Sequence, residues 1–121
     1  MIEVKNLGFQ YPNTSEKAIN GIDFSIAKGE IFGFLGPSGS GKSTTQKILF
    51  KLLSGYSGSA KIDNTELINW DKTLYEKIGV GFELPNHYLK LTALENLNFF
   101  KEFYQNCYNP IDLLEMVGLK S

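Results

Sequence analysis

"GFLGPSGSGKSTTQKIL", Gly33 to Leu49, is the stretch on which the fold turns. Within it Gly36, Gly41, Lys42 and Ser43 occupy the fixed places of the pattern G-x-x-x-x-G-K-[ST]. Glycines let backbone N–H groups curl around an anion with no side chain in the way. A helix starting where the loop ends turns its free N–H groups and positive dipole toward the same point. Lys42 adds a cation, and Ser43 adds a hydroxyl suited to Mg²⁺. From average residue usage, these four positions coincide by chance in a chain this long roughly one time in a hundred. The stretch is therefore read as a nucleotide-phosphate loop.

The flanks support that reading. Before the loop, "EIFGFLG" (30–36) is a nearly continuous apolar run, as expected of a strand covered on both faces in a parallel sheet. After it, "KSTTQKILFKLLSG" places Ile48, Leu49, Leu52 and Leu53 at helical spacing, with Gly55 as the expected C-cap. Further upstream, "IEVKNLGFQY" (2–11) alternates with a kink near Asn6, and "INGIDFSIAKGE" alternates at Ile22, Phe24 and Ile26. The two predict an antiparallel pair with one wet face. Tyr11 closes the first run. Its ring suits stacking on a purine and suits half-buried strand packing equally well.

Downstream, "SGSAKIDN" (57–64) predicts a short strand into a turn, paired with "ELINW", and Trp70 is expected to pack that hairpin. "KIGVGF" (77–82) predicts a second buried strand. The character then changes. "LTALENLNFFKEFYQN" opens with a capping box, Thr92 and Glu95. "NPIDLLEMVG" predicts a last helix with Asn109 as N-cap, Pro110 at the first helical position and Gly118 as stop.

Bulk properties bound the function. At 121 residues the chain suffices for one domain, and its formal charge of −1 gives no basic surplus for nucleic acid. The single cysteine, Cys107, cannot form an internal disulfide and is expected to be a semi-buried thiol. The single histidine, His87, excludes a histidine-based metal cluster and is expected in a surface loop. With no secretion signal at "MIEVKNLGF" and no apolar run of membrane-spanning length, the expected compartment is the cytosol.

"GPSGSGKSTTQKILFKLLSGYSGSAKIDN" (36–64) closely resembles the ATP-binding cassette (ABC) family. That family shows a Walker A loop, a helix ending in a small "SG" turn, and a strand of the "G-x-(I/V)-x-(I/V)-D-G" kind, here "GSAKIDN". "KIGVGFELPNHYLKLTALENLNFF" (77–100) resembles the family's Q-loop region, where the Thr of "L-T-x-x-E-N-L" lies nine residues after a Gln. Thr92 of "LTALENL" lies nine residues after Glu83, so Glu83 stands at the Gln position. The nearest flavour is the ATP-binding subunit of bacterial drug exporters.

The resemblance implies an α/β P-loop NTPase of ABC type. It would comprise an antiparallel β subdomain, part of a parallel sheet with the P-loop helix, and the start of a helical subdomain. Residues 1–83 would form the ATP-binding core, and 84–121 the Q-loop exit and helical start. Tyr11 would stack on adenine. Gly36, Pro37, Ser38, Gly39, Ser40, Gly41, Lys42, Ser43 and Thr44 would wrap the triphosphate of ATP, with Thr44 and Thr45 facing its α- and β-phosphates. Ser43 would ligate Mg²⁺, and Glu83 would lie near the metal and the attacking water. A carboxylate in place of an amide brings a charge and removes a donor, so metal dependence or gating is expected to differ.

The implied partners are a transmembrane permease subunit and a second nucleotide-binding subunit arranged head to tail, at the cytoplasmic face of the membrane. The aromatic set Phe99, Phe100, Phe103 and Tyr104 is broader than one helix stripe and marks the expected docking surface. The family's "L-S-G-G-Q" signature, Walker B, catalytic Glu and switch His have no counterpart here. The 121 residues are thus expected to be the N-terminal piece of a cassette ATPase, hydrolytically inactive alone. A soluble cassette ATPase acting on nucleic acid or ribosomes would want a basic face. A GTPase would want "N-K-x-D", which is absent.

Overall fold

A computed structural model describes residues Met1–Leu119. The chain forms two compact units, one of Met1–Asp71 and one beginning at Lys72. The division expected at Glu83 thus falls inside the second unit.

The first unit is a four-stranded antiparallel sheet of β1 (Ile2–Phe9), β2 (Ile19–Ile26), β3 (Ser57–Ile62) and β4 (Thr65–Glu66) in the order β2-β1-β3-β4, carrying one α-helix. Strand β1 (Ile2–Phe9) pairs with β2 (Ile19–Ile26) from Ile2↔Ile26 to Phe9↔Ile19. The kink expected at Asn6 is a bulge: the register shifts between Val4 and Leu7, and Asn6 takes φ 48° while its N–H donates to the Asp23 carboxylate at 2.9 Å. The bulge lets both Val4 and Leu7 face inward, although simple alternation would put them on opposite faces. They are buried with Phe9, Ile19 and the helical Ile48 and Leu49.

Strand β3 (Ser57–Ile62) lines the other edge of β1 and turns through Asp63 and Asn64 into β4 (Thr65–Glu66). Both turn residues have positive φ, 48° and 63°, as a two-residue hairpin requires. Trp70 braces this hairpin as expected, its indole N–H donating to the Ile62 carbonyl at 3.1 Å. Inside the hairpin the Glu66 carboxylate accepts from the Ser59 hydroxyl and the Ala60 N–H. Partial burial, and then the Glu66 charge, raise the Tyr56 pKa above the ordinary phenol value.

Helix α1 (Lys42–Leu49) is shorter than its apolar spacing predicts. It stops in a Schellman motif, with Lys51 N–H donating to Ile48 O at 2.9 Å and Leu52 N–H to Lys47 O at 2.8 Å. Lys51, rather than Gly55, takes the left-handed position at φ 60°. Its ammonium is held by the Trp70 carbonyl, a tertiary contact that offsets the cost of a non-glycine there.

The buried parallel strand expected at 30–36 is corrected. Among the described residues the segment is hydrogen-bonded into no sheet, and no parallel pair occurs. Phe32 and Phe34 pack on Phe24 of β2, with ring centroids 5.4 and 5.2 Å away. Ile31 and Leu35, on the opposite side, are 100% and 96% exposed. One face is covered, not two. The strand expected at 77–82 is also irregular; Ile78 and Val80 are half-buried and Phe82 is exposed.

In the second unit, a one-turn helix α2 (Leu74–Lys77) precedes α3 (Ala93–Lys101) and α4 (Pro110–Met116). Both caps follow the sequence. Thr92 Oγ1 accepts from Glu95 N–H at 3.2 Å, and the Glu95 carboxylate accepts from Thr92 N–H at 2.7 Å. Asn109 caps α4 ahead of Pro110, and Gly118 ends it at φ 79°. Asn96 adds an anchor that the sequence did not announce. Its amide donates to the carbonyls of Tyr88 and Thr92, each at 3.0 Å, and accepts from Tyr88 N–H at 2.9 Å.

The Glu95 bonds have a pH consequence. Hydrogen bonds from Thr92 hold the Glu95 carboxyl below its ordinary value. The folded-state pKa is depressed, so the contribution to α3 is complete above the unfolded value and is lost as pH falls through the folded one. Far-UV circular dichroism and amide exchange of α3 should therefore loosen on acidification in the wild type. Glu95→Gln, which keeps the capping box without titrating, should lack that acid step. An identical acid response in both would rule out Glu95 as its source.

Candidate functional site: a phosphate loop at the start of helix α1

The glycine-rich segment folds into two consecutive local structures. Pro37–Ser40 is a β-turn in which Ser40 N–H donates to Pro37 O at 3.2 Å, with Gly39 at φ 82° in its third position. Gly41 then takes φ 94° as the N-cap of α1. The backbone reverses around a hollow that the first turn of the helix closes.

That hollow is a cavity of about 290 Å³. Of the residues expected at the site, Tyr11, Ser38, Gly39, Gly41, Lys42, Ser43 and Thr44 line it. Gly36 and Pro37 act one step back: their carbonyls accept from the Lys42 ammonium, the Pro37 bond measuring 2.9 Å. The lysine thus folds over the loop and braces it. Gly36 packs closely on Ser40; a Cβ added to it would lie 2.8 Å from the Ser40 hydroxyl.

Thr45 is placed differently from its neighbour. It is buried, and its hydroxyl donates to Gly41 O at 2.8 Å, back along the helix. It fixes the helix start instead of lining the hollow. Glu83 lies in the second unit, exposed, in the irregular segment between α2 and α3. Cys107 is exposed, not semi-buried, and His87 is exposed as expected.

Sequence reasoning missed Ala18. It acts through its backbone: its N–H donates to Phe9 O at 2.8 Å, extending the β1–β2 ladder, and its carbonyl abuts Gly41. No side-chain signal marks such a position.

Among the described residues lining the cavity, the one formal charge is the Lys42 ammonium. With the helix N-terminus beside it, the hollow is positive. It offers backbone N–H groups, an ammonium and the hydroxyls of Ser38, Ser43 and Thr44, a donor set matched to phosphate oxygens. Among the described residues no group of three or more His, Cys, Asp and Glu is placed to hold a metal, and no helix is long and apolar enough to cross a membrane.

The family described as ABC transporter matches residues 19–121. A fluoroquinolones export ATP-binding protein of Mycobacterium tuberculosis is 51% identical over 98% of this chain and 40% of its own length. The bacitracin transport ATP-binding protein BcrA of Enterococcus faecalis is 37% identical over 80% of this chain and 31% of its own. Among solved structures, the ATP-binding cassette MJ0796, described as a dimer in a post-hydrolysis state bound to ADP and Pi, superimposes with a TM-score of 0.77. It is 29% identical, and the match covers 100% of this chain and 59% of that one. The chain spans about two fifths of the length of these curated export relatives. With the family matched over most of the sequence, the chain belongs to the ABC transporter family.

Proposed function

We propose that these residues form the ATP-binding part of an ABC transporter subunit. The positive hollow at the start of α1 carries this reading, because its donors fit a phosphate chain and its shape depends on the absent side chain at Gly41. Lys42, Ser38 and the loop amides would hold the phosphates, and Tyr11 would meet the base. Ser43, which is exposed and lines the hollow, would take Mg²⁺ arriving with the nucleotide. Such an ion keeps waters and binds through phosphates, so it needs no dedicated cage of side chains.

In the whole protein the nucleotide would be hydrolysed to drive export through a separate transmembrane subunit, with a second nucleotide-binding subunit opposite. The names of the export and bacitracin-transport relatives support that direction. The subunit would work at the cytoplasmic face of the membrane. The second unit's exposed rings Phe99, Phe100 and Phe103, joined by Tyr88, are the proposed contact with the membrane partner. The described residues lining the hollow include no carboxylate or histidine to take a proton from water. Residues 1–121 alone are proposed to bind nucleotide without turning it over.

Calorimetric titration of the 121-residue chain with MgATP, beside MgGTP and alongside a phosphate-release assay, tests the reading. Micromolar-to-millimolar ATP binding without phosphate release is expected. Absence of ATP binding by a chain shown to be folded would remove the nucleotide site from these residues.

A further inference from the structure

We propose that the Tyr11 hydroxyl is a positioning group for the phosphate site, acting through Thr44. It rests on the nucleotide reading above and assigns Tyr11 a role that base stacking does not require. Tyr11 Oη lies 2.9 Å from Thr44 Oγ1, and both residues line the hollow. Stacking uses the ring face and leaves a phenol hydroxyl free for water. Here the hydroxyl reaches across to a threonine of the phosphate-binding helix that is only 8% exposed.

Three contacts aim it there. The Tyr11 carbonyl accepts from Thr14 N–H at 3.3 Å and from the Thr14 hydroxyl at 2.7 Å, closing the turn after β1. The Tyr11 ring meets Phe9 edge to face, with centroids 5.0 Å apart and planes at 88°. Backbone and ring are held, which keeps the hydroxyl within hydrogen-bond distance of Thr44.

The proton order follows from what the hollow takes. A threonine hydroxyl has one proton and two lone pairs. If Thr44 gives its proton to Tyr11, its lone pairs face the hollow and repel an anion. If Tyr11 donates to Thr44, the Thr44 proton is free to point at a phosphate oxygen. A phosphate in the hollow selects the second order. The relay then runs from the Tyr11 O–H to the Thr44 Oγ1 and from the Thr44 O–H to the phosphate, each bond polarising the next.

The test is a set of equilibrium titrations of the protein with MgATP, magnesium tripolyphosphate and adenosine. Tyr11→Phe keeps the ring and removes the relay. It is expected to weaken MgATP and tripolyphosphate alike, by about three- to tenfold, and to leave adenosine unchanged. Thr44→Ser, which keeps the hydroxyl, should lose less affinity for both phosphate ligands than a variant without one. Thr44→Val should weaken both phosphate ligands, and adding Tyr11→Phe to it should have no further effect, because the receiver of the bond is gone. Thermal midpoints check that each variant is folded.

Tripolyphosphate binding unchanged in Tyr11→Phe would overturn the proposal, as would additive effects in the double variant. A loss confined to adenosine would do so too, returning Tyr11 to the base alone. If the wild type binds neither MgATP nor tripolyphosphate, the nucleotide reading fails and the relay falls with it. If the wild type binds both and Tyr11→Phe is silent, the relay alone fails.

Discussion

Lys42→Ala is expected to weaken MgATP binding by roughly a hundredfold, about 3 kcal/mol, while leaving the fold nearly unchanged. The ammonium is the one formal charge among the described residues lining the hollow, and charge-assisted bonds to phosphate oxygens are the strongest contacts available there. It also bonds the carbonyls of Gly36 and Pro37, so removal loosens the loop that presents the amides. Both effects act on the same ligand, and neither touches the buried core. Those carbonyl bonds are solvent-exposed, so thermal stability should shift little. Calorimetry of the two proteins at one ionic strength, with thermal melts, checks both halves. MgATP affinity within about threefold of wild type would mean that the phosphates lie elsewhere.

The features legible in the sequence are those that depend on neighbours a few residues away. The capping box at Thr92 and Glu95, the Asn109–Pro110 start and Gly118 stop of α4, and the Asp63–Asn64 turn are bonds within about five residues, and each is found where expected. The phosphate loop belongs with them, since Lys42, Gly36 and Pro37 lie within one short stretch. Strand pairing is not local in this way. The run 30–36 has the composition of a strand buried on both faces, yet burial needs something on each face. Here Phe24 supplies one face only, leaving Ile31 and Leu35 bare. The end of α1 was hidden for a related reason. A lysine is a poor left-handed C-cap by sequence, and it serves at position 51 because the Trp70 carbonyl, nineteen residues away, takes its ammonium. Ala18 and Asn96 escaped notice because a backbone carbonyl and a side chain clasping four preceding backbone groups leave no compositional trace.

Gly41 is where local conformation and distant packing meet, and a comparison with Gly39 separates the two. Both glycines have positive φ, 94° and 82°, so an alanine at either should cost about 1 kcal/mol for the left-handed backbone. The surroundings differ. A Cβ at Gly39 meets nothing within 4 Å, whereas a Cβ at Gly41 would stand 2.7 Å from the Ala18 carbonyl oxygen. That oxygen is backbone of the segment leading into β2, tied to Phe9 through its own N–H, and cannot swing aside as a side chain would. Gly41→Ala must therefore move the start of α1 away from the β1–β2 pair, adding a further 1–3 kcal/mol or so. The hollow lies at that junction, so the displacement should also separate Lys42 and Thr44 from Tyr11 and reduce MgATP binding by an order of magnitude or more. Gly39→Ala, with the same dihedral cost and no clash, should keep most of its binding. Melting temperatures and MgATP titrations of the two variants give the comparison. Equal losses in both would mean that the left-handed backbone alone explains the glycine at 41. A larger loss at Gly41 would show that the loop is shaped by the sheet behind it as well as by its own sequence.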